Sequence, residues 1–301
     1  MSGLGDVVVP GSAHRSLAAA IATELDAELA TVEVERFPDG EQLVRIESTV
    51  AGRSVCIVQP CGPPVDQHLI ELLMLIDASR RAGAASIAAV VPYVAYARQD
   101  RRRPGESLGS RLVGDLLGAV HVERVIVVDP HTPALEAILG VSTSTVTAVP
   151  ALADAIAAAV PEQAVLVAPD LGAAKLVECY AEHLGWPTAV VHKRRISAET
   201  VEARQLIGDV RGQAAVIVDD MISTGGTIEA AARRLLEEGA SRVVVAATHG
   251  LFVGPARDRL AALPVERVIV SESLPQRADL PFALDVVSLA PLLAGALRNG
   301  A

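Results

Sequence analysis

From Val216 to Thr227 the chain reads VIVDDMISTGGT, which sets two carboxylates, Asp219 and Asp220, at the end of an apolar run and follows them with hydroxyls and paired glycines. If a helix begins just beyond, the amides and hydroxyls of Ser223, Thr224, Gly225, Gly226 and Thr227 can converge on an anion at its N-terminus. The glycines let the backbone approach such an anion closely. The loop alone also fits a capped strand-to-helix turn with no ligand. Two carboxylates beside an anion nest are a poor arrangement unless something lies between them and the anion, either vicinal sugar hydroxyls or a metal. A sugar phosphate meets both requirements. No GxxxxGK occurs anywhere, so this is not a P-loop.

Other polar side chains fall just past apolar runs in the same way: Arg98, Gln99 and Asp100 after SIAAVVPYVAYA, His131 after RVIVVDP, Asp170 after AVLVAP, and Lys193 to Arg195 after TAVVH. Ligands of parallel α/β sheets bind beyond the carboxyl ends of the strands, so residues gathered at several strand ends point to one functional rim.

The elements that must carry these residues are short β-branched runs alternating with amphipathic stretches, which predicts an α/β fold with a largely parallel sheet covered on both faces. The spacing predicts a helix over 67–81 that stops before Gly83, and another after Thr227 that stops at Gly239. Each is preceded by an apolar run (CIVQP, VIVDD) and followed by two more (SIAAVVPY then VIVVDPH; RVVVAATH then VIVSES), a matching order that implies an internal duplication. A boundary at residues 149–150 divides the chain into halves, 1–149 and 150–301, with the last helix free to pack on the N-terminal one.

The chain has 301 residues, room for two ordinary domains, and only 2% aromatic residues, so Ala, Val, Leu and Ile must fill its core. A formal net charge of −10 argues against a nucleic-acid surface. Lys175 and Lys193 are the only lysines among 26 basic residues, which draws attention to both. Cys56, Cys61 and Cys179 follow no metal or redox spacing and read as reduced thiols. No targeting segment or apolar span of about 20 residues is present, so a soluble, cytoplasmic protein without a membrane partner is expected.

The 219–227 loop resembles the phosphoribosyl-pyrophosphate motif of the phosphoribosyltransferase fold. Together with RFPDGE (36–41), PYVAYARQDRR (92–102), VVDPHT (127–132), VAPDLG (167–172) and KRR (193–195), in that order, the chain resembles ribose-phosphate pyrophosphokinases from about Val8 to its C-terminus. The resemblance implies two tandem phosphoribosyltransferase-type domains. It implies transfer of the β,γ-diphosphoryl group of Mg-ATP to the 1-hydroxyl of ribose 5-phosphate, giving 5-phosphoribosyl 1-pyrophosphate and AMP. It gives Phe37, Asp39, Gly40 and Glu41, with Arg98, Gln99, Asp100 and Arg101, to ATP, the first four reaching across a subunit boundary in a homo-oligomer. It gives His131 and Asp170 to Mg2+, Lys193 and Arg195 to catalysis at the start of a mobile loop, and Asp219, Asp220 and Ser223–Thr227 to ribose 5-phosphate. The alternative within the same resemblance is a non-catalytic regulatory homologue that binds catalytic subunits, which would be expected to lack the Lys, His or Arg of the site.

Three departures stand out. Ser223 replaces an acidic residue found in many family members, His192 a common Asp, and RRPGESLGSRLVGDLL differs from the pattern of the phosphate-activated, ADP-inhibited members.

Overall fold

The computed structural model describes residues 5–194 and 203–298, and divides into two compact units: Met1–Thr147 with Ser273–Pro275 and Ser288–Ala301, and Ala148–Glu272 with Gln276–Val287.

In the first unit the elements run β1 (Val7–Pro10), α1 (Arg15–Leu25), β2 (Glu28–Leu29), β3 (Val32–Arg36), β4 (Gln42–Ile46), β5 (Ser54–Val58), α2 (Val65–Arg81), β6 (Ser86–Val90), α3 (Gly109–Ala119), β7 (Arg124–Val128), α4 (Leu135–Leu139) and β8 (Thr143–Val146). In the second they run α5 (Val149–Ala159), β9 (Val165–Ala168), α6 (Ala174–Leu184), β10 (Thr188–Arg194), β11 (Ala203–Ile207), β12 (Ala214–Ile222), α7 (Gly226–Glu237), β13 (Arg242–Gly250), α8 (Ala256–Ala261), β14 (Val265–Ser271) and β15 (Leu284–Val287). The closing helix α9 (Ala290–Arg298) belongs to the first unit, where it packs on α1 and Arg298 donates to the backbone carbonyl of Glu24.

The two sheets repeat one plan. The first has the order β2-β1-β5-β6-β7-β8 and the second β10-β9-β12-β13-β14-β15, all parallel, with β11 added antiparallel outside β10. β5 and β12 therefore hold the same place, each feeding a helix and then the next strand outward. This is the order that the repeated sequence runs implied.

Val and Ile crowd the central strands because both faces are covered: Val7–Val9, Val55–Val58 and Ala215–Val218 are buried throughout. Separate apolar clusters form in the two units. At about 25 cal/mol per Å2 of apolar surface removed from water, these aliphatic layers supply most of the stabilisation that an aromatic-poor chain needs.

Short strands that apolar runs do not announce complete the picture. β3 and β4 pair as an antiparallel hairpin with Arg36 opposite Gln42, so Phe37–Glu41 is its loop. Alternation with charged residues (VEVER, QLVRI) hid this pair, since a hairpin wetted on one face has no continuous apolar run.

Candidate functional site

The strand β12 does not stop at the carboxylates. It continues through Asp219 and Asp220 to Ile222, pairing with β13 as far as Ile222 opposite Gly250. The polar pair is thus held by sheet hydrogen bonds rather than set in a loop.

Past Ile222 the backbone turns through Ser223–Gly225 into α7. Gly225 is the helix N-cap with φ of 75°, a left-handed conformation that glycine adopts without steric penalty. A Cβ there would lie 3.5 Å from Ala256 Cα, ordinary contact, so the backbone angle rather than space selects glycine.

Every carbonyl of the turn is engaged. Ile222 O accepts from the amides of Leu251 (3.0 Å) and Phe252 (3.1 Å), Ser223 O from Val253 N (3.0 Å), Thr224 O from Arg259 Nη1 (3.0 Å), and Gly225 O from Glu229 N (2.8 Å). A trans peptide directs its C=O and N–H oppositely, so each following amide faces away from the group that holds its carbonyl. Among the described residues no protein acceptor takes the amides of Ser223, Thr224, Gly225, Gly226 or Thr227. Donors left over at a helix N-terminus, with the macrodipole behind them, make an anion cup.

Beside the cup, burial raises the Asp219 pKa to about 8, helped by the charges of Asp220 and of Asp170 from the end of β9. Asp170 itself caps the turn after β9, its Oδ1 accepting from Gly172 N at 2.8 Å and Ala173 N at 3.3 Å. Three carboxylates whose charges reach one another attract a cation or hydroxyl donors. Among the described residues no group of three or more His, Cys, Asp or Glu side chains is arranged to hold a metal. The oxygen donors suit Mg2+, which keeps waters and shares itself between one or two carboxylates and phosphate oxygens.

The same sheet position in the first unit is chemically closed. After β5 comes Gln59, fully buried, with Oε1 accepting from Ala13 N at 3.1 Å and Nε2 donating to His68 O at 3.4 Å. The loop then runs Pro60, Cys61, Gly62, Pro63, Pro64, and its prolines carry no N–H to offer an anion. Among the described residues, the free turn amides that could take an anion at this sheet position are those of the second unit.

The first unit instead carries Phe37–Glu41, Arg98–Arg101 and His131. The Phe37–Glu41 loop is closed by Phe37 N donating to Glu41 O (2.8 Å) and Glu41 N to Asp39 Oδ1 (3.1 Å). Arg36 braces it, donating to Gly40 O at 2.7 Å and to Gln67 Oε1 of α2 at 3.0 Å. Phe37, 39% exposed, is unusual for an aromatic in a chain with so few.

Beyond β6 the chain turns at Tyr96, whose φ is 59° and whose hydroxyl donates to Asp66. Gln99 follows, its amide donating to Tyr96 O (2.9 Å) and its carbonyl accepting from Ser110 Oγ (2.7 Å). This anchoring leaves the Arg98, Gln99 and Arg101 side chains exposed and Asp100 half-buried. His131 stands exposed past β7, after Asp129 with φ of 34°.

Lys193 lies in β10 with its backbone opposite Arg204 of β11; Arg195 and residues 196–202 of the expected mobile loop (196–212) lie outside the described residues, and Ala203–Ile207 of that expected loop is instead the strand β11, paired to β10. The structure thus brings Asp170, Asp219, Asp220 and Ser223–Thr227 together in one unit and carries Phe37–Glu41, Arg98–Arg101 and His131 on the other.

Sequence reasoning missed the outer support of the cup, Leu251–Val253 and Arg259. Arg259 sits in ARDRL, which reads as an ordinary exposed helix face.

Comparisons with known proteins cover nearly the whole chain. Residues 7–120 match the family described as the N-terminal domain of ribose phosphate pyrophosphokinase, and residues 200–299 the phosphoribosyl synthetase-associated domain. The ribose-phosphate pyrophosphokinase of Aquifex aeolicus is 39% identical over 297 residues, 98% of this chain and 96% of the relative. That of Corynebacterium efficiens is 40% identical over 289 residues, 94% of this chain and 89% of the relative. The crystal structure of phosphoribosylpyrophosphate synthetase from Mycobacterium smegmatis superposes with a TM-score of 0.91 at 37% identity, covering 99% of both chains.

Proposed function

The chain belongs to the ribose-phosphate pyrophosphokinase family, and from that premise we propose how its own residues carry the reaction. The enzyme transfers the β,γ-diphosphoryl group of ATP to the 1-hydroxyl of ribose 5-phosphate, yielding 5-phosphoribosyl 1-pyrophosphate and AMP.

The observation that carries the site reading is the turn with its carbonyls held outward beside a carboxylate pair. The amides and hydroxyls of Ser223–Thr227 take the 5-phosphate, and Asp219 and Asp220 accept hydrogen bonds from ribose hydroxyls. That fixes the anomeric oxygen for in-line attack on the β-phosphorus, a reaction governed by positioning and charge neutralisation. Lys193 and Arg195 cover the charge that grows on the transferring group and on the departing AMP. Arg98, Gln99, Asp100 and Arg101 bind the nucleotide's phosphate end. When bound, Mg2+ supplies charge neutralisation at the phosphate oxygens; Asp170 is the residue of the second unit that would hold it, and His131 the candidate ligand carried by the first unit.

Phe37, with Asp39, Gly40 and Glu41, meets the adenine of a neighbouring copy. An aromatic left exposed at a braced hairpin tip is well placed for such a contact, and it makes the enzyme a homo-oligomer of at least two chains. No described helix is long and apolar enough to cross a membrane, and we assign the enzyme to the cytoplasm. Incubation with ribose 5-phosphate and Mg-ATP should release AMP in step with a product that carries the diphosphoryl group. Absence of AMP from protein that binds ribose 5-phosphate would overturn catalysis.

A further inference from the structure

Four of the five peptide groups of the anion cup have the outward-held carbonyls described above, and three of these carbonyls are held by backbone amides. The fourth, Thr224 O, is held by a side chain, Arg259 Nη1 from α8, at 3.0 Å. The same guanidinium spans to α7, its Nε 3.2 Å from Glu229 Oε2. Glu229 also receives Arg233 at 3.1 Å, so its position is fixed from two sides. Gly226 makes the approach possible, since a Cβ there would lie 3.2 Å from Arg259 Nη1, tighter than side chains ordinarily pack.

We propose that Arg259 is a positioning residue for phosphate recognition: it locks the Thr224–Gly225 peptide so that the Gly225 amide faces the 5-phosphate. The proposal rests on the reading of Ser223–Thr227 as the phosphate cup. Its physical basis is the trans peptide, in which fixing the carbonyl outward fixes the next N–H inward. Gly225 would otherwise let that plane rotate, because glycine adopts both signs of φ with little penalty. Planar guanidinium geometry matters as well. A fork can donate to a carbonyl and a carboxylate at once, whereas an ammonium is a point charge on a flexible stem.

The test compares wild type with Arg259→Met and Arg259→Lys, measuring calorimetric affinity for ribose 5-phosphate and for ribose, the KM of each substrate, and Tm. Loss of the clamp should weaken ribose 5-phosphate binding about 10- to 100-fold in the Met variant and by an intermediate factor in the Lys variant. The KM for ATP should stay within about twofold, and the weaker affinity for phosphate-free ribose should be unchanged. A general loss of structure would lower all of these together. If ribose 5-phosphate affinity stays within twofold of wild type in folded Lys or Met protein, or if ribose and ATP weaken equally, Arg259 has no positioning role. Should Arg259→Met fail to fold, the Lys variant decides alone by the same criteria. A wild-type protein that binds no ribose 5-phosphate overturns the cup reading itself, and with it this inference.

Discussion

The backbone amide of Asp220 donates to Oδ1 of Asp219 at 2.9 Å, so the first carboxylate of the pair is tethered to the second residue's own peptide. That tether lowers the Asp219 pKa, yet burial and the charges of Asp220 and Asp170 outweigh it and carry the group to about 8. Proximity of like charges in a half-dry site disfavours ionising both.

A stability-versus-pH prediction follows from the direction of that shift. Below the ordinary carboxyl value of 3.8 both folded and unfolded chains hold the proton, and Asp219 imposes no penalty. Between there and about pH 8 the unfolded chain ionises while the folded one keeps its proton, so stability falls as pH rises across that window. Asp219→Asn removes this drain. Thermal melts without ligand should show the variant gaining on wild type from pH 5 to pH 8.5. Parallel Tm curves would contradict the shifted pKa.

The cup's left-handed glycine gives a second prediction. Ala at position 225 must adopt φ of 75°, which costs about 1–2 kcal/mol for an L-residue, while its Cβ meets Ala256 only at van der Waals distance. Gly225→Ala should therefore fold, melt a few degrees lower, and bind ribose 5-phosphate at least about tenfold more weakly as the turn relaxes toward negative φ. Isothermal titration checks the affinity; an unaltered value would show that the Gly225 amide is not a phosphate donor.

Much of this site was legible in the chain because the chemistry sits where apolar strands end. VIVDD and STGGT specify carboxylates, turn and helix start within twelve residues, and the paired order of runs disclosed the repeated sheet. What could not be read is what holds the turn from behind. Val253 and Arg259 reach Ser223 and Thr224 from some thirty residues away through the β13–α8 connection, and neither has a local pattern, because a carbonyl accepts from any amide or guanidinium. The β3–β4 hairpin escaped for the opposite reason: half of each strand faces water, so its alternation resembles a polar loop.

Thiol chemistry provides a third prediction. Burial pushes both Cys56 and Cys61 up to about 12, while Cys179 on α6 is exposed. Since the thiolate is the reactive form, titration with an aromatic disulfide at pH 8 should modify Cys179 promptly and the other two only in denaturant. Mass mapping of the labelled peptides identifies them. Rapid labelling of Cys56, which lies in the middle of β5, would mean that the first sheet opens readily.

The catalytic assignment yields the last prediction. Lys193 stands at the end of β10, one of two lysines in the chain, and its proposed task is to cover negative charge that exists only as the diphosphoryl group transfers. A group acting only in the transition state lowers kcat and kcat/KM equally when removed and leaves ground-state binding alone. Lys193→Ala should then lose turnover by two orders of magnitude or more, equivalent to a barrier raised by roughly 3 kcal/mol, with ribose 5-phosphate affinity near that of wild type. Arginine should restore little, because a planar fork does not reproduce a compact ammonium. Quenched-flow measurement of AMP release separates this outcome from slow product release, and a loss of turnover below tenfold would remove Lys193 from the catalytic step.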